Sequence, residues 1–404
     1  MRILEINKFY FLKGGTEKHF FDVINLLKNN NDEVAVFSMK HPRNRTSKWS
    51  KYFLSTVGHD KTYTIWQRIK GIGRMFYSRE ARKKINKILN DFQPEVVHIH
   101  NVYHQLSPII LFEIKKRGIP IIMTVHDYKL VNPNYNLYHK NKFYNCCLNK
   151  KFYQCFFDKC IKDSYLKSLI GVLEMYWHEW LGTYSKNIDQ YIVPSEFAKN
   201  ILIKRGINSS KIFVMAHFVL ENTKERMAQV DTKKGKDKDK EKFCLYVGRI
   251  IDNKGIKELV NIFTQINSLK LYLAGEVDAS FKKIENKNIY YLGHLGQSEL
   301  KKYISRSEFI ISPSKLPETF GLIALEANIL GKPFVGYRTG AYPEIIKNKQ
   351  NGFLVKNKEE LINFLMNYQS YTFDNSLEIR QKTIDKYGSL KYYKIFKKNL
   401  DKFK

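Results

Sequence analysis

The sequence contains no uninterrupted apolar run approaching the roughly 20 residues that a bilayer-spanning helix requires, so it offers no candidate for one. Nor does Met1 to Ile6 (MRILEI) resemble a leader. It enters a strand-like pattern directly, without an apolar h-region or a cleavage site, and the expectation is a cytosolic protein. Acidic residues are scarce: 39 Asp and Glu stand against 69 Lys and Arg, for a formal net charge of +30. A field of that sign attracts polyanions, either nucleic acid or an anionic leaflet. No nucleic-acid reading module is present, which leaves a membrane surface as the better partner. Cysteine is sparse as well, at five residues, but four are bunched: Cys146, Cys147, Cys155 and Cys160. In a cytosolic chain such a cluster reads as a metal site or as free thiols before it reads as disulfides. Core-forming residues are plentiful, with 43% hydrophobic and 14% aromatic content. At roughly 150 residues per domain the length suits two or three domains.

Two series of strand and helix signals follow one another. In the first, RILEIN (2–7), EVAVFSM (33–39), EVVHIHN (95–101), IPIIMTVHD (119–127) and QYIVPS (190–195) read as short buried strands. Between them are helical patterns such as 17–28, with Phe20, Val23, Ile24 and Leu27 at helical spacing. The second series comprises 242–249, 269–276, 288–295, 307–314, 332–338 and 351–356. Buried strands alternating with helices predict α/β architecture with two parallel, doubly wound sheets. The lysine-rich run 230–242 reads as an exposed loop near the hinge, and its Asp237-Lys238-Asp239 as part of that loop rather than as a metal-nucleotide motif. Two insertions interrupt the cadence. One is basic and aromatic, from Trp49 to Lys84, and the other is the cysteine segment followed by 164–184.

The block SKLPETFGLIALEANILGKPFVGYRTG (314–340) places Glu318 on a loop and Glu326 about two turns inside the following helix. Gly321 at the helix start lets a ligand approach the backbone, and a helix N-terminus is a ready anion site. Carboxylates beside it can accept hydrogen bonds from hydroxyls, so the block suits a ligand with both phosphate and sugar. Gly248 ends a strand at its carboxyl edge, where open α/β sheets bind ligands. Arg249 and Lys254 just beyond it can converge on one anion and hold a diphosphate without a divalent metal. Gly14-Gly15 falls between the first strand and its helix, but the G-x-G-x-x-G dinucleotide spacing is absent. His126-Asp127 ends another strand at its carboxyl edge.

Taken together, Gly14-Gly15-Thr16-Glu17, His126-Asp127, Pro194-Ser195-Glu196-Phe197, Gly248-Arg249, Lys254-Gly255, Pro317-Glu318-Thr319-Phe320-Gly321, Glu326-Ala327 and Gly331-Lys332-Pro333 resemble glycosyltransferase family 4, the retaining GT-B enzymes, in its capsule and exopolysaccharide branch. The resemblance implies two Rossmann-like domains facing across a cleft. Residues 1–207, with the tail 384–404 packed back on them, would meet the acceptor, and 208–383 would bind the donor. It further implies that Glu326 holds the ribose of a UDP- or GDP-linked sugar and that Glu318 lies by the transferred sugar. Arg249 and Lys254 would clamp the diphosphate, helped by amides at Gly14-Gly15 and at Phe320, Gly321 and Leu322, with Gly248 and Thr319 also among the donor-binding residues. His126 would sit near the reacting carbon, and Gly293 near the base. No catalytic cofactor is implied.

The acceptor side is less patterned. Trp66, Arg68, Lys70, Arg74, Phe76 and Tyr77 fit an interfacial surface over anionic lipid. The expectation is therefore a glycan or polyprenyl-linked acceptor at the cytosolic face of the inner membrane. Cys147, Cys155 and Cys160 could bind a structural zinc; adjacent Cys146 and Cys147 cannot easily both ligate one ion. A sugar-nucleotide epimerase of the same fold and a non-catalytic nucleotide-sugar scaffold are the alternatives.

Overall fold

The computed structural model describes residues 1–58, 62–140, 142–220 and 241–403. Residues 230–240, with the Asp237-Lys238-Asp239 sequence, lie outside them. The chain divides into two compact units, Met1–His217 with Leu390–Lys404, and Phe218–Ser389.

The first unit holds β1 (Arg2–Asn7), β2 (Glu33–Phe37), β3 (Val96–Asn101), β4 (Ile121–Thr124), the short hairpin strands β5 (Tyr138–His139) and β6 (Lys142–Phe143), β7 (Gln190–Val193) and β8 (Ile212–Val214). Six of these form a parallel sheet in the order β2-β1-β3-β4-β7-β8, while β5 and β6 pair with each other. The helix Gly15–Asn29 buries Phe20, Val23, Ile24 and Leu27, the spacing read from sequence. Strand β8 was not legible, because Ile-Phe-Val is too short to show a period. It pairs with β7. That pairing carries the first unit to residue 217, past the expected boundary at 207.

The tail helix Ser389–Leu400 belongs to this unit. Its Tyr393 hydroxyl donates to Asp32 Oδ2 at 3.0 Å and Lys397 is ion-paired to the same carboxylate. The N-terminal amine also donates to Asp32, at 2.8 Å. Burial opposes ionisation of Asp32, but these donors outweigh it and hold its pKa below the usual carboxylate range. Phe396 packs against His98 at 5.1 Å between ring centroids.

The second unit holds β9 (Phe243–Val247), β10 (Lys270–Ala274), β11 (Ile289–Gly293), β12 (Ile310–Ser312), β13 (Phe334–Tyr337) and β14 (Gly352–Val355). All six strands of the second series are present, parallel, in the order β11-β10-β9-β12-β13-β14. This is the 3-2-1-4-5-6 order of dinucleotide-binding sheets, and it reverses between β9 and β12. The core of this unit is drawn from both faces of the sheet and includes Leu245, Leu271, Ile311, Val335 and Phe364, all 0 to 1% exposed.

Candidate functional site

The reversal point of the second sheet gathers most of the residues singled out in that unit. Ligands of open α/β sheets bind beyond the carboxyl ends of strands at such a point. The loop after β9 carries Gly248, Arg249 and Lys254, and the loop after β12 carries Glu318, Thr319, Phe320 and Gly321. The two loops touch through Gly255, whose φ is +76° and whose added Cβ would lie 2.2 Å from the Pro313 carbonyl oxygen. Only glycine fits there. Lys254 Nζ consequently lies 3.7 Å from Glu318 Oε1.

Arg249 is 59% exposed at its side chain and donates to Asp278 Oδ2 at 2.6 Å. Hydrogen bonds from Ser280, with help from Arg249, hold the Asp278 carboxyl at about 2. Each of the two cations thus faces one carboxylate, Arg249 that of Asp278 and Lys254 that of Glu318. The Glu318 backbone is fixed by the Ala341 N–H, which donates to its carbonyl at 3.1 Å. Gly321, at φ +95°, starts the helix Leu322–Ile329 with no side-chain cap. Gly321 offers no side chain to the first N–H groups of that helix, which suits its start to an anion. Glu326 is half-buried inside the same helix. Gly293 ends edge strand β11 and accepts from the Gly275 N–H at 2.7 Å.

In the first unit, Gly14 precedes the helix Gly15–Asn29 without a side-chain cap. Glu17 occupies the first turn of that helix and is 4% exposed. Its Oε1 accepts from Asn7 Nδ2 at 3.5 Å, and burial raises its pKa. A carboxyl group therefore already shares this helix end with the Gly14-Gly15 amides. Strand β4 stops at Thr124, so His126 lies two residues beyond it rather than on its last position.

His126 joins a polar chain that sequence reading missed. Glu5 on β1 is paired in register with His98 on β3. Glu5 Oε1 lies 3.0 Å from His98 Nδ1, and Glu5 Oε2 lies 3.0 Å from His100 Nε2. His98 Nε2 meets the Thr124 hydroxyl at 2.7 Å, and His100 Nδ1 meets His126 Nε2 at 2.8 Å. His217 stacks on His126 at 5.1 Å, and His19 stands edge-on to it at 5.4 Å. Burial works to raise the Glu5 pKa, but His98 and hydrogen bonds from both imidazoles outweigh it and hold it at about 2. Burial and the neighbouring His98 push His100 down to about 4. Burial, with His100 and His217 next to it, also pushes His126 well below the ordinary imidazole value. The ligand-type atoms of Glu5, His98 and His100 all lie within 4.8 Å of one another, but in this structure each is hydrogen-bonded to a partner in the chain. The signal was in the sequence. A glutamate inside MRILEI and two histidines at i, i+2 in VVHIHN are polar residues set between apolar ones in strand interiors.

These shifts predict acid lability. Both groups have folded pKa values below their unfolded ones, so the stability they contribute is present above the unfolded pKa and lost as pH falls. The loss runs from 6.5 down to about 4 for His100 and from 4.5 down to about 2 for Glu5. At about 1.4 kcal/mol per pKa unit each group contributes on the order of 3 kcal/mol. Thermal melts should show Tm falling steadily below pH 6.5, and a Tm flat from pH 7 to pH 4 would contradict it.

The cysteine segment departs from expectation. Cys155 and Cys160 are joined in a disulfide, so in this structure they are not two of three thiolates for zinc alongside Cys147. Cys146 and Cys147 remain thiols with Sγ atoms 3.6 Å apart. The basic-aromatic insertion is corrected as well. Arg74 is 2% exposed and spends its guanidinium on Ser55, on the Gln105 carbonyl at 3.0 Å and on Glu80 at 2.9 Å. It is a buried strut of the fold and faces no lipid.

Two six-stranded parallel sheets, the second in the 3-2-1-4-5-6 order, define the architecture as GT-B. Comparison with known proteins identifies the family. Residues 13–219 match the description Glycosyltransferase Family 4, and residues 228–372 match Glycosyl transferases group 1. The chain belongs to glycosyltransferase family 4. It is 23% identical over 328 residues to a 42.6 kDa protein of the cps region of Klebsiella pneumoniae, covering 80% of this chain and 76% of that one. It is 29% identical over 175 residues to a 41.2 kDa protein of the cps region of the same organism, covering 42% of this chain and 49% of that one. To the capsular polysaccharide biosynthesis glycosyltransferase CapM of Staphylococcus aureus it is 26% identical over 185 residues, covering 43% and 47% of the two chains. The chain thus spans about half the length of two of these relatives. The fold matches that of Anabaena HepE in complex with UDP and glucose, at TM-score 0.65 and 13% identity over 100% of both chains. It also matches sucrose-phosphate synthase of Thermosynechococcus elongatus, at TM-score 0.66 and 16% identity over 99% of both.

Proposed function

We propose that this protein is a retaining glycosyltransferase that moves a sugar from a nucleotide-diphosphate sugar to a glycan or polyprenyl-linked acceptor in the synthesis of a bacterial surface polysaccharide. The observation that carries the reading is the convergence of Arg249, Lys254, Glu318 and the uncapped Gly321 helix start at the sheet's reversal point. When the bond from the anomeric carbon to the diphosphate breaks, negative charge builds on the leaving oxygen. Preorganised cations and N–H donors stabilise that charge most. The acceptor oxygen bonds to the anomeric carbon on the same face, and its proton passes to the leaving phosphate. No protein nucleophile and no divalent metal enters the scheme. Glu326 is assigned to the ribose hydroxyls, Glu318 to the hydroxyls of the transferred sugar, and His126 to that sugar near its reacting carbon. HepE binds UDP and glucose, and a uridine donor is the first to try. A structural zinc would require Cys155 and Cys160 to be reduced.

The membrane surface is the second element of the proposal. The helix Tyr165–Leu181 turns Ser168, Val172, Glu174 and His178 inward and leaves Leu166, Leu173 and Trp180 52 to 75% exposed. Its inner face is fixed by Lys129 Nζ donating to Glu174 Oε2 at 2.7 Å and by His104 Nε2 at 2.9 Å from the same oxygen. The helix Ile65–Phe76 lies against it, through Phe76 on Trp177 at 6.4 Å and His178 Nε2 at 2.8 Å from the Met75 carbonyl. That second helix exposes Ile65, Trp66 (79%) and Ile69. Arg68, Lys70 and Lys167 are exposed among them. Apolar and indole side chains rimmed by cations suit an anionic lipid interface. Sedimentation with anionic vesicles at low salt should be strong and should weaken with added salt. Trp66→Ala with Trp180→Ala should abolish it. Equal sedimentation with zwitterionic vesicles, or none with anionic ones, would contradict this surface. Among the described residues no helix is long and apolar enough to cross a membrane.

A panel of nucleotide-sugars, assayed for nucleotide release with and without a lipid-linked acceptor, tests the activity. Conversion of the sugar nucleotide without transfer would favour an epimerase, and binding without release a scaffold.

A further inference from the structure

The cysteine segment ends in a loop that continues the surface assigned to lipid. Its helix Tyr153–Phe157 is five residues long, too short to be stable by itself. Two features hold it. Phe152, Cys155 and Cys160 are buried with Val172 and Met175 of the helix Tyr165–Leu181, and the Cys155–Cys160 disulfide closes the loop behind it. What the loop turns outward is apolar: Phe157 is 69% exposed and Tyr153 47%. Phe156 packs on Phe157 at 5.4 Å and on Tyr165 at 5.3 Å between ring centroids. The rings of the loop thus run on into Tyr165 and Leu166, both exposed on the long helix. Lys159 lies over the Tyr165 ring at 4.3 Å. Between residues 143 and 167 five lysines stand against two aspartates, and one of these, Asp158, accepts from the Tyr144 hydroxyl at 2.8 Å.

We propose that the loop Cys155–Cys160 is a redox-controlled lipid anchor, which buries Phe157 in an anionic bilayer while the two cysteines are bonded and releases it when they are reduced. This rests on the lipid surface proposed above, to which the loop adds a third element beside the helices Tyr165–Leu181 and Ile65–Phe76. Apolar rings among lysines suit anionic lipid for the same reason as there. The backbone shows what the disulfide keeps in place. Lys159, Lys162 and Asp163 have φ of +53, +52 and +50°, a left-handed conformation that residues with side chains adopt only at a cost. Opening the bond lets these turns relax and frees the short helix that carries Phe157. At the cytosolic face of a membrane a disulfide is transient or redox-sensing, so the state of the loop follows the surrounding thiols. Cys160 is 5% exposed and Cys155 0%, which makes the Cys160 sulfur the accessible one. A dithiol reduces the bond in two displacements. Its first thiolate attacks one sulfur and breaks the S–S bond, and its second expels that sulfur from the mixed disulfide. The dithiol leaves oxidised, and its two electrons and two protons end on Cys155 and Cys160 as thiols.

Co-sedimentation of the whole chain with phosphatidylglycerol–phosphatidylcholine vesicles at low salt, with and without dithiothreitol, decides the question. Phe157→Ala should bind about tenfold more weakly than the oxidised wild type, the worth of one phenylalanine kept out of the apolar phase. Dithiothreitol should weaken the wild type in the same sense, while adding little to the loss in Phe157→Ala, where the ring that the disulfide positions is already gone. Replacing both cysteines, Cys155→Ser with Cys160→Ser, should reproduce the reduced wild type without reductant. An affinity unchanged by Phe157→Ala, or unchanged by reduction, would overturn the proposal. So would stoichiometric zinc on the protein as purified. A dimer that Phe157→Ala dissolves would also overturn it, by placing a second copy of the chain on the loop. Failure of the lipid surface itself would appear separately, as a wild type that binds no anionic vesicle in either redox state, and would end this proposal with it. Vesicle binding that is lost in Trp66→Ala with Trp180→Ala but indifferent to Phe157 and to reduction would leave the surface standing and remove the loop from it.

Discussion

Removing either cation at the sheet reversal should lower kcat by about 10²- to 10³-fold, the cost of losing one preorganised donor to a developing anion. Arg249→Ala and Lys254→Ala are the variants. The two should differ in detail. Arg249 is 59% exposed and held by Asp278, and its replacement leaves a carboxylate that still accepts from the Ser280 N–H and hydroxyl. Lys254 sits 3.7 Å from Glu318, and its loss leaves that carboxylate beside the leaving diphosphate with no counter-charge. Lys254→Ala should therefore be the more damaging of the two. Steady-state transfer rates at saturating donor check this. A change in KM alone, with kcat preserved, would mean that the cations bind the ground state and do not act on the leaving group.

The two glutamates should separate just as clearly. Glu326→Ala is expected to weaken nucleotide binding by about 10- to 100-fold, the range for losing hydrogen bonds to a charged acceptor. Glu318→Ala should leave nucleotide affinity near wild type and slow transfer. The structural difference behind this is their placement. Glu326 lies inside the helix Leu322–Ile329, whereas Glu318 stands on the loop before it, on a backbone fixed by Ala341. Calorimetry with the free nucleoside diphosphate isolates the first effect, and single-turnover transfer isolates the second. The reverse pattern would exchange the two roles.

Much of this was legible in the sequence because buried parallel strands are continuous apolar runs. All six strands of the second sheet, and the Glu318–Glu326 block at its reversal point, follow from such runs and from the glycines that end them. What escaped reading was of two kinds. Strand β8 is three residues long and shows no period, and the first compact unit runs on through it to His217. The Glu5–His98–His100 chain depends on register between β1 and β3, which no local pattern reveals. Arg74 illustrates the same limit from the other side. Its neighbours Trp66 and Ile69 are exposed as a basic-aromatic helix suggests, while Arg74 itself turns inward to Ser55, Gln105 and Glu80. In the helix Tyr165–Leu181 the polar Glu174 and His178 are buried, while Leu166, Leu173 and Trp180 face solvent. That inversion is set by Lys129 and His104, which lie far from it in the chain.

On the proposed function, the loops after β9 and β12 form a nucleotide-sugar site. Titration calorimetry of the whole chain against a panel of uridine and guanosine diphosphate sugars tests it most directly. One-to-one binding of at least one donor is expected, weakened by Glu326→Ala and by Lys254→Ala. Binding of none, or binding indifferent to both substitutions, would contradict it.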